Sequence, residues 1–298
     1  MSSDASATAV VESSIPERVI ALRTRAKSQA PLVMLTAYDF VSARLVDQAG
    51  VDLILVGDSA ATTVLGYDFT HQIQRDELLM LTRAARRGVK SALLVGDLPF
   101  GTYESSDDEA VSTAREFVRA GCDLVKLEGA GLRLARVNAI IAAGIPVIGH
   151  VGLLPQAART QSDLRARGRT ADGAAVVLRD ALALEEAGCS ALVIEAVPAV
   201  VATTIARRVS IPVIGIGAGN GVDGQVLVMH DMVGLSDGHI PKFVRQYANA
   251  GDVILNAVRR YASDVRQRAF PSVAEEYRMP DAERELFEAL VATSGATL

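Results

Sequence analysis

The chain has 298 residues and a formal net charge of −5, which argues against a nucleic-acid-binding surface because such a surface concentrates basic residues. No apolar run is as long as a membrane-spanning helix, and the Ser- and Ala-rich start has no apolar block like that of a secretory signal. We therefore expect a cytoplasmic protein with no nucleic-acid or membrane partner.

Residues 1–15 are predicted to form a disordered tail, and a short helix follows over 16–27. Seven helical patterns are predicted at 40–49, 75–87, 107–120, 132–143, 172–187, 199–209 and 241–262. Eight strands are predicted at 32–36, 53–57, 92–96, 124–127, 146–149, 191–194, 213–216 and 226–229. This alternation favours the α/β class and a single (β/α)8 barrel over residues 16–268, with an open doubly wound sheet as the main alternative. Residues 269–298 are predicted to be a C-terminal helical extension.

Four of the strand segments repeat one pattern, in which a glycine is followed by an apolar run and then by a carboxylate. They cover residues 50–58, 88–97, 121–128 and 188–195. An apolar strand without polar alternation is typical of a parallel sheet with both faces covered. In a (β/α)8 barrel, the carboxyl ends of the strands form the mouth where catalytic residues lie. The four acids are therefore expected to converge on one mouth.

Asp58, Asp97 and Glu128 end three consecutive strands of this set. Carboxylate oxygens suit Mg²⁺, whereas Zn²⁺ favours histidine and cysteine. A single carboxylate at such a junction is often only the cap of the next helix. Four carboxylates at equivalent strand ends favour a metal site instead.

The remaining candidates surround these acids. Lys126 lies two residues before Glu128, so both side chains face the barrel interior, where a buried ammonium needs an anionic partner. That partner is either a substrate oxygen or simply a neighbouring acid. Ser59 can hydrogen-bond the same substrate or cap its loop, and His150 is expected inside the mouth. Glu195 ends the sixth strand, away from the other acids, where a general base is better placed than a metal ligand.

Seven motifs in order resemble the ketopantoate hydroxymethyltransferase family over about residues 30–268, within the phosphoenolpyruvate mutase/isocitrate lyase superfamily. They are Leu-Val-Gly-Asp-Ser (55–59), Gly-Asp-Leu-Pro-Phe (96–100), Val-Lys-Leu-Glu-Gly (125–129), Gly-His-Val-Gly-Leu (149–153), Val-Ile-Glu-Ala-Val-Pro (193–198), Pro-Val-Ile-Gly-Ile-Gly-Ala-Gly-Asn (212–220) and Gly-His-Ile-Pro-Lys-Phe (238–243).

The resemblance implies a Mg²⁺-dependent transfer of a one-carbon unit from 5,10-methylenetetrahydrofolate to C3 of a 2-oxo acid. In the family, 3-methyl-2-oxobutanoate becomes 2-dehydropantoate for pantothenate biosynthesis, through a metal-stabilised enolate. The resemblance also implies a homo-oligomer, a decamer.

Roles for individual residues follow from the same resemblance. The implied metal ligands are Asp58, Asp97 and, partly through water, Glu128. The implied substrate-binding residues are Asp58, Ser59, Asp97, Lys126 and His150. Glu195 is the implied catalytic base that removes the C3 proton.

Two loops over the expected mouth depart from the family pattern. Residues 71–74 read His-Gln-Ile-Gln where the family usually has Leu-Pro-Val-Thr, and 162–168 read Ser-Asp-Leu-Arg-Ala-Arg-Gly where it has Gly-Gly-aromatic-Lys-Val-Gln-Gly. Leu154 also replaces a usual threonine. These changes are either neutral drift or a sign of another 2-oxo acid in secondary metabolism, or of another one-carbon donor. Arg165 and Arg167 would suit a more acidic substrate.

Two further alternatives are a C–C or P–C lyase of the same superfamily and a non-catalytic scaffold. The lyases usually carry a Lys-Lys-Cys-Gly-His-type loop, and this chain has no such sequence. Retention of five buried charged residues argues against a scaffold, since charges without a function are costly to bury.

Overall fold

The computed structural model describes residues 16–25, 27–236 and 240–293, so the expected tail over 1–15 lies outside the described residues. Its elements are α1 (Glu17–Arg23), β1 (Leu32–Thr36), α2 (Phe40–Gln48), β2 (Leu53–Val56), α3 (Ala60–Thr63), α4 (Arg75–Gly88), β3 (Leu93–Asp97), α5 (Asp107–Arg119), β4 (Leu124–Glu128), α6 (Leu134–Ala142), β5 (Val147–Gly152), α7 (Ala171–Glu186), β6 (Ala191–Glu195), α8 (Ala199–Arg208), β7 (Val213–Ile216), β8 (Gly224–Leu227), α9 (Met229–Met232), α10 (Ala250–Arg266) and α11 (Asp281–Thr293).

The eight strands pair in sequence order into a closed parallel barrel, and β8 completes it by pairing with β1. This confirms the (β/α)8 barrel and excludes the open sheet. Buried apolar side chains form two clusters, one inside the barrel and one between the strands and the helices. Most strand residues are buried, with Val33 of β1 and Gln225 of β8 as exposed exceptions. The strands are therefore mostly apolar runs, as is typical of a parallel sheet covered on both faces.

Two elements differ from their predicted positions. The eighth strand covers 224–227 and not 226–229, because Gly224 pairs with Leu32 of β1 and with Ile214 of β7. The helix predicted from residue 241 begins only at Ala250, because the side chain of Asn249 caps it by accepting from the amide of Asp252.

The chain divides into two compact units, the first ending at Ala248 and the second beginning at Asn249. The first unit contains the barrel, and the second contains α10 and α11. The domain limits of 16–268 and 269–298 stay predictions. Within the described part of the chain, no helix is both long enough and apolar enough to cross a membrane.

Asp47 joins helix α2 to strand β3. Its buried carboxylate oxygen Oδ1 accepts hydrogen bonds from the amides of Ser91, at 2.9 Å, and Ala92, at 2.8 Å. Burial alone would raise the pKa of Asp47, but these amides outweigh burial and lower the pKa. The end of α2 is thereby fixed to the start of β3, the strand that carries Asp97.

We expect Asp47→Ala to reduce the free energy of unfolding by about 2 kcal/mol, because two charge-assisted hydrogen bonds are lost and two amides are left unpaired. Since the folded-state pKa is lowered, the contribution is present above the unfolded-state pKa of about 4 and is lost as the pH falls through the folded-state pKa. Urea unfolding at several pH values measures this. Asp68→Ala, at an exposed loop position, is the control, and an equal effect of both variants would contradict the assignment.

Candidate active site

The four predicted acids lie at one end of the barrel. Asp97, Glu128 and Glu195 are the last residues of β3, β4 and β6, and Asp58 lies two residues after the end of β2. The strand register places Lys126 of β4 opposite Asp97, and His150 of β5 opposite Glu128. Asp58, Asp97 and Glu128 are buried. The sequence prediction of a shared mouth is therefore matched by the backbone.

None of these acids caps the α-helix that follows its strand. The capping positions of α3, α5, α6 and α8 are Ser59, Ser106, Arg133 and Pro198. Helix capping therefore does not explain the four carboxylates. Their burial needs another compensation, because an unpaired buried charge is costly.

Lys126 supplies part of that compensation. Its Nζ lies 2.7 Å from Oδ1 of Asp97 on β3 and 3.8 Å from Oε1 of Glu128. The second contact is expected because Lys126 and Glu128 lie on the same face of β4. Burial lowers the pKa of Lys126, but the charges of Asp97 and Glu128 outweigh burial and raise the pKa. Lys126 is therefore cationic, and its salt bridge holds Asp97 in place.

Asp58 and Asp97 interact within the mouth. Oδ2 of Asp97 accepts a hydrogen bond from the backbone amide of Asp58 at 3.1 Å. Burial and the charge of Asp97 raise the pKa of Asp58 well above its usual value. Its Oδ2 is buried without a hydrogen-bond partner, whereas Oε1 of Glu128 lies near the charged side chains of Lys126 and His150. An oxygen left open like Oδ2 of Asp58 fits a cation.

Among the described residues, no group of three or more His, Cys, Asp and Glu side chains has the geometry to hold a metal by protein ligands alone. Mg²⁺ does not need such a group, because it commonly takes one or two carboxylates and completes its coordination with water and substrate. Asp58 and Asp97 fit that requirement, with Glu128 close by.

His150 joins the acids of β4 and β6. Its Nδ1 lies 3.5 Å from Oε1 of Glu128, and its Nε2 lies 3.3 Å from Oε2 of Glu195. Burial would lower the pKa of His150, but contacts with the two carboxylates outweigh burial and raise it to about 9. Glu195, which the sequence analysis separated from the other acids, thus contacts the rest of the site through His150.

Ser59 follows Asp58, and its hydroxyl contacts a residue that the sequence analysis missed. Oγ of Ser59 lies 2.8 Å from the phenol oxygen of Tyr38, which is fully buried just beyond β1. The first strand does not end in a carboxylate, so its end did not match the pattern of the other acid-bearing strands. The nearby Asp39 caps helix α2. The position of Tyr38 just after the first strand was the available signal.

Gln156 and Tyr103 were also missed. The backbone amide of Gln156 donates to Oε2 of Glu128 at 3.1 Å, and the side-chain Nε2 of Gln156 donates to the backbone carbonyl of Leu98 at 3.0 Å. The phenol of Tyr103 donates to Oε1 of Gln156 at 2.6 Å. Both residues come from loops, where sequence periodicity carries no information. Together they fix the carboxylate of Glu128.

The two altered loops take different positions. His71 stacks on Phe69 and meets the edge of Phe100, with ring centroids 5.5 and 6.1 Å apart. Arg165 is exposed, and Arg167 lines a cavity of about 240 Å³ bordered by Gly129, Gly152 and α7. The backbone amide of Arg167 donates to the carbonyl of Ala196 at 2.9 Å, next to Glu195. The second loop is therefore anchored beside the site.

The glycine-rich segment after β7 has a packing role. A Cβ at Gly217 would lie 2.5 Å from the ring of Phe243, and one at Gly219 would lie 2.5 Å from Ala199. Both glycines also have positive φ angles. Close packing in a left-handed conformation explains them without a bound anion.

Fold and site together define a (β/α)8 barrel enzyme whose mouth is built from buried carboxylates around a lysine and a histidine. A family model described as ketopantoate hydroxymethyltransferase matches residues 17–273. The chain belongs to this family, whose members are transferases.

Individual comparisons agree. The chain is 47% identical over 272 residues to a 3-methyl-2-oxobutanoate hydroxymethyltransferase of Nitratidesulfovibrio vulgaris, covering 91% of this chain and 89% of that protein. It is 45% identical over 258 residues to the enzyme of the same name from Geobacillus thermodenitrificans, covering 86% and 92%. A phosphonopyruvate hydrolase solved with oxalate and Mg²⁺ shares the fold, with a TM-score of 0.57 at 18% identity over 92% of this chain and 97% of that one.

We expect Mg²⁺ to raise the midpoint of thermal unfolding, because binding to the folded state alone stabilises it. At about 100 times the dissociation constant, the gain is about 2.7 kcal/mol, or roughly 5 °C. Asp58→Asn should abolish this shift, whereas Asp68→Asn in the neighbouring loop should keep it. A calorimetric scan with and without Mg²⁺ measures both, and an unchanged shift in Asp58→Asn would remove Asp58 from the metal site.

Proposed function

We propose that the protein transfers a hydroxymethyl group to C3 of a 2-oxo acid, with 3-methyl-2-oxobutanoate as the substrate and 2-dehydropantoate as the product. The observation that carries the proposal is the buried set Asp58, Asp97, Glu128, Lys126 and His150 at one barrel mouth, in a chain that belongs to this family. This assigns the protein to pantothenate biosynthesis.

The reaction begins with removal of the C3 proton, and Glu195 is the proposed base. Its carboxylate is the least buried of the four acids, with 15% of its side chain exposed, and it contacts Nε2 of His150. It therefore lies beside the site and not within the cluster of Asp58 and Asp97. A base in that position can reach C3 while the oxygens of the acid face the opposite strands.

Asp58 and Asp97 would hold Mg²⁺, with Glu128 near it. When bound, Mg²⁺ supplies Lewis acidity to the keto oxygen and carboxylate of the 2-oxo acid. Lys126 adds a fixed positive charge, and Ser59 adds a hydroxyl, at the side where negative charge develops as C3 loses its proton. His150 lines the pocket and keeps Glu195 in place.

The one-carbon donor in this proposal is 5,10-methylenetetrahydrofolate. Water adds to the donor's methylene carbon, and both bonds from that carbon to N5 and N10 of the folate break, which releases the carbon at the oxidation level of formaldehyde. The C3 carbanion equivalent then forms a bond to that carbon, and its oxygen takes up a proton to become the hydroxyl. Tetrahydrofolate and the hydroxymethylated acid are the products, so no oxidant or reductant is needed.

A second candidate is the same enolate chemistry on a different 2-oxo acid. The observation in its favour is that the altered loops lie close to the site, with His71 against Phe100 and Arg167 bonded to Ala196. A superfamily lyase reaction has less support, because only the fold connects this chain with those enzymes.

We expect the enzyme with Mg²⁺ to exchange the C3 hydrogen of 3-methyl-2-oxobutanoate for deuterium in D₂O, and to form 2-dehydropantoate once methylenetetrahydrofolate is added. Glu195→Gln should slow exchange by at least about 10²-fold, as removal of a general base does, while the 2-oxo acid still binds. Proton NMR follows both steps.

The controls separate the alternatives. Glu185→Gln, on the outer helix α7, should exchange at the wild-type rate. Exchange with another 2-oxo acid in preference to 3-methyl-2-oxobutanoate would replace the substrate but keep the chemistry. Absence of exchange with every 2-oxo acid tried would overturn the proposal and favour a scaffold.

We also propose that the protein is a cytoplasmic homo-oligomer, a decamer by family resemblance. Light scattering coupled to size exclusion should then give the mass of ten chains. A mass of one chain at micromolar concentration would contradict it.

A further inference from the structure

Tyr38 is a buried tyrosine whose hydroxyl lies among other hydroxyls. It is 1% exposed, and its phenol oxygen lies 2.8 Å from Oγ of Ser59. Burial raises its pKa to about 12, although the hydroxyls of Ser59, Thr36 and Thr63 act in the opposite direction. The phenol therefore keeps its hydrogen and has one hydrogen bond to donate.

Two threonines near the phenol are themselves held in place. The backbone amide of Met229 donates to Oγ1 of buried Thr36 at 2.9 Å. The hydroxyl of Thr63 donates to the carbonyl of Ser59 at 2.9 Å. Both hydroxyls act on the phenol of Tyr38, so the surroundings of the phenol are fixed by residues of β1 and α3.

Tyr38 is the residue that holds the Ser59 side chain. Ser59 makes no capping bond to α3, and among the described residues its Oγ has no hydrogen-bond partner other than Tyr38. The remaining hydrogen-bonding capacity of the Ser59 hydroxyl is left for a ligand, beside Asp58, whose Oδ2 has no hydrogen-bond partner.

We propose that Tyr38 is a positioning residue, whose hydrogen bond holds the Ser59 hydroxyl in place for a carboxylate or keto oxygen in the barrel mouth. The identity of that ligand as a 2-oxo acid rests on the proposed function, whereas the positioning of Ser59 by Tyr38 does not. A hydroxyl that is already held in place loses less conformational freedom on binding.

A double-mutant cycle on ligand affinity tests this directly. Oxalate has two adjacent oxygen-bearing carbons like those of a 2-oxo acid, and its binding with Mg²⁺ is measured by titration calorimetry without turnover. Tyr38→Phe should weaken oxalate binding about tenfold, and Ser59→Ala at least as much. The double variant should bind no more weakly than Ser59→Ala alone, because Tyr38 acts only through Ser59. Additive losses, or wild-type affinity in Tyr38→Phe, would overturn the proposal.

Three further variants separate positioning from folding. Tyr67→Phe removes a phenol bond to Oε1 of Glu77, in the same loop but away from Ser59, and should bind as the wild type does. Thr36→Val should weaken oxalate binding and Thr36→Ser should restore it, which gives a second route if Tyr38→Phe does not fold. Equal affinity in Thr36→Val and Thr36→Ser would show that the Thr36 hydroxyl does not support the phenol, and would overturn this part of the proposal.

Failure of the proposed function has a different signature. If the wild type binds oxalate but exchanges no 2-oxo acid at C3, the hydroxymethyl transfer is wrong while the cycle still decides the role of Tyr38. If the wild type does not bind oxalate with Mg²⁺, both are overturned.

Discussion

The ammonium of Lys126 is the charge on which the barrel mouth depends. Asp97 and Glu128 lie on either side of it, and Asp58 lies against Asp97. Without it, three buried carboxylates would repel one another with no cation among the described side chains near them except protonated His150. Removing one partner of a buried ion pair commonly costs 3–5 kcal/mol. The same excess of negative charge is what makes the mouth receptive to a divalent ion, so stability and chemistry share one cause.

Rigid supports surround this charged centre on both sides. Gln156 and Tyr103 hold Glu128 from the loops after β5 and β3, while Tyr38 holds Ser59 from the end of β1. Each support is itself buried and hydrogen-bonded, which is how a site keeps its groups within a fraction of an ångström. Beside these supports, Oδ2 of Asp58 stays buried without a hydrogen-bond partner.

The barrel and its acid-bearing strand ends could be predicted because parallel strands have a simple signature of glycine, apolar run and carboxylate. Lys126 and Glu128 were placed on one face by period-two alternation, and their contacts agree. The link from Glu128 through His150 to Glu195 could not be predicted, because it depends on the register of β4, β5 and β6. Gln156 reaches the site from a loop, and Tyr38 acts through a hydroxyl whose partner is 21 positions away.

The loop after β5 is attached beside Glu195 through the main-chain amide of Arg167 and the carbonyl of Ala196. A bond of this kind is indifferent to the side chain at position 167, and only proline, which lacks the amide, would break it. Amino-acid substitutions at position 167 can therefore accumulate during evolution while the loop stays attached. For protein engineers, the same feature marks residues 164–167 as a segment in which side chains can be varied while the loop stays docked, provided that proline is kept out. Asp163, which accepts from the amides of Arg159 and Thr160, and Gly168, which has a positive φ, would have to be kept.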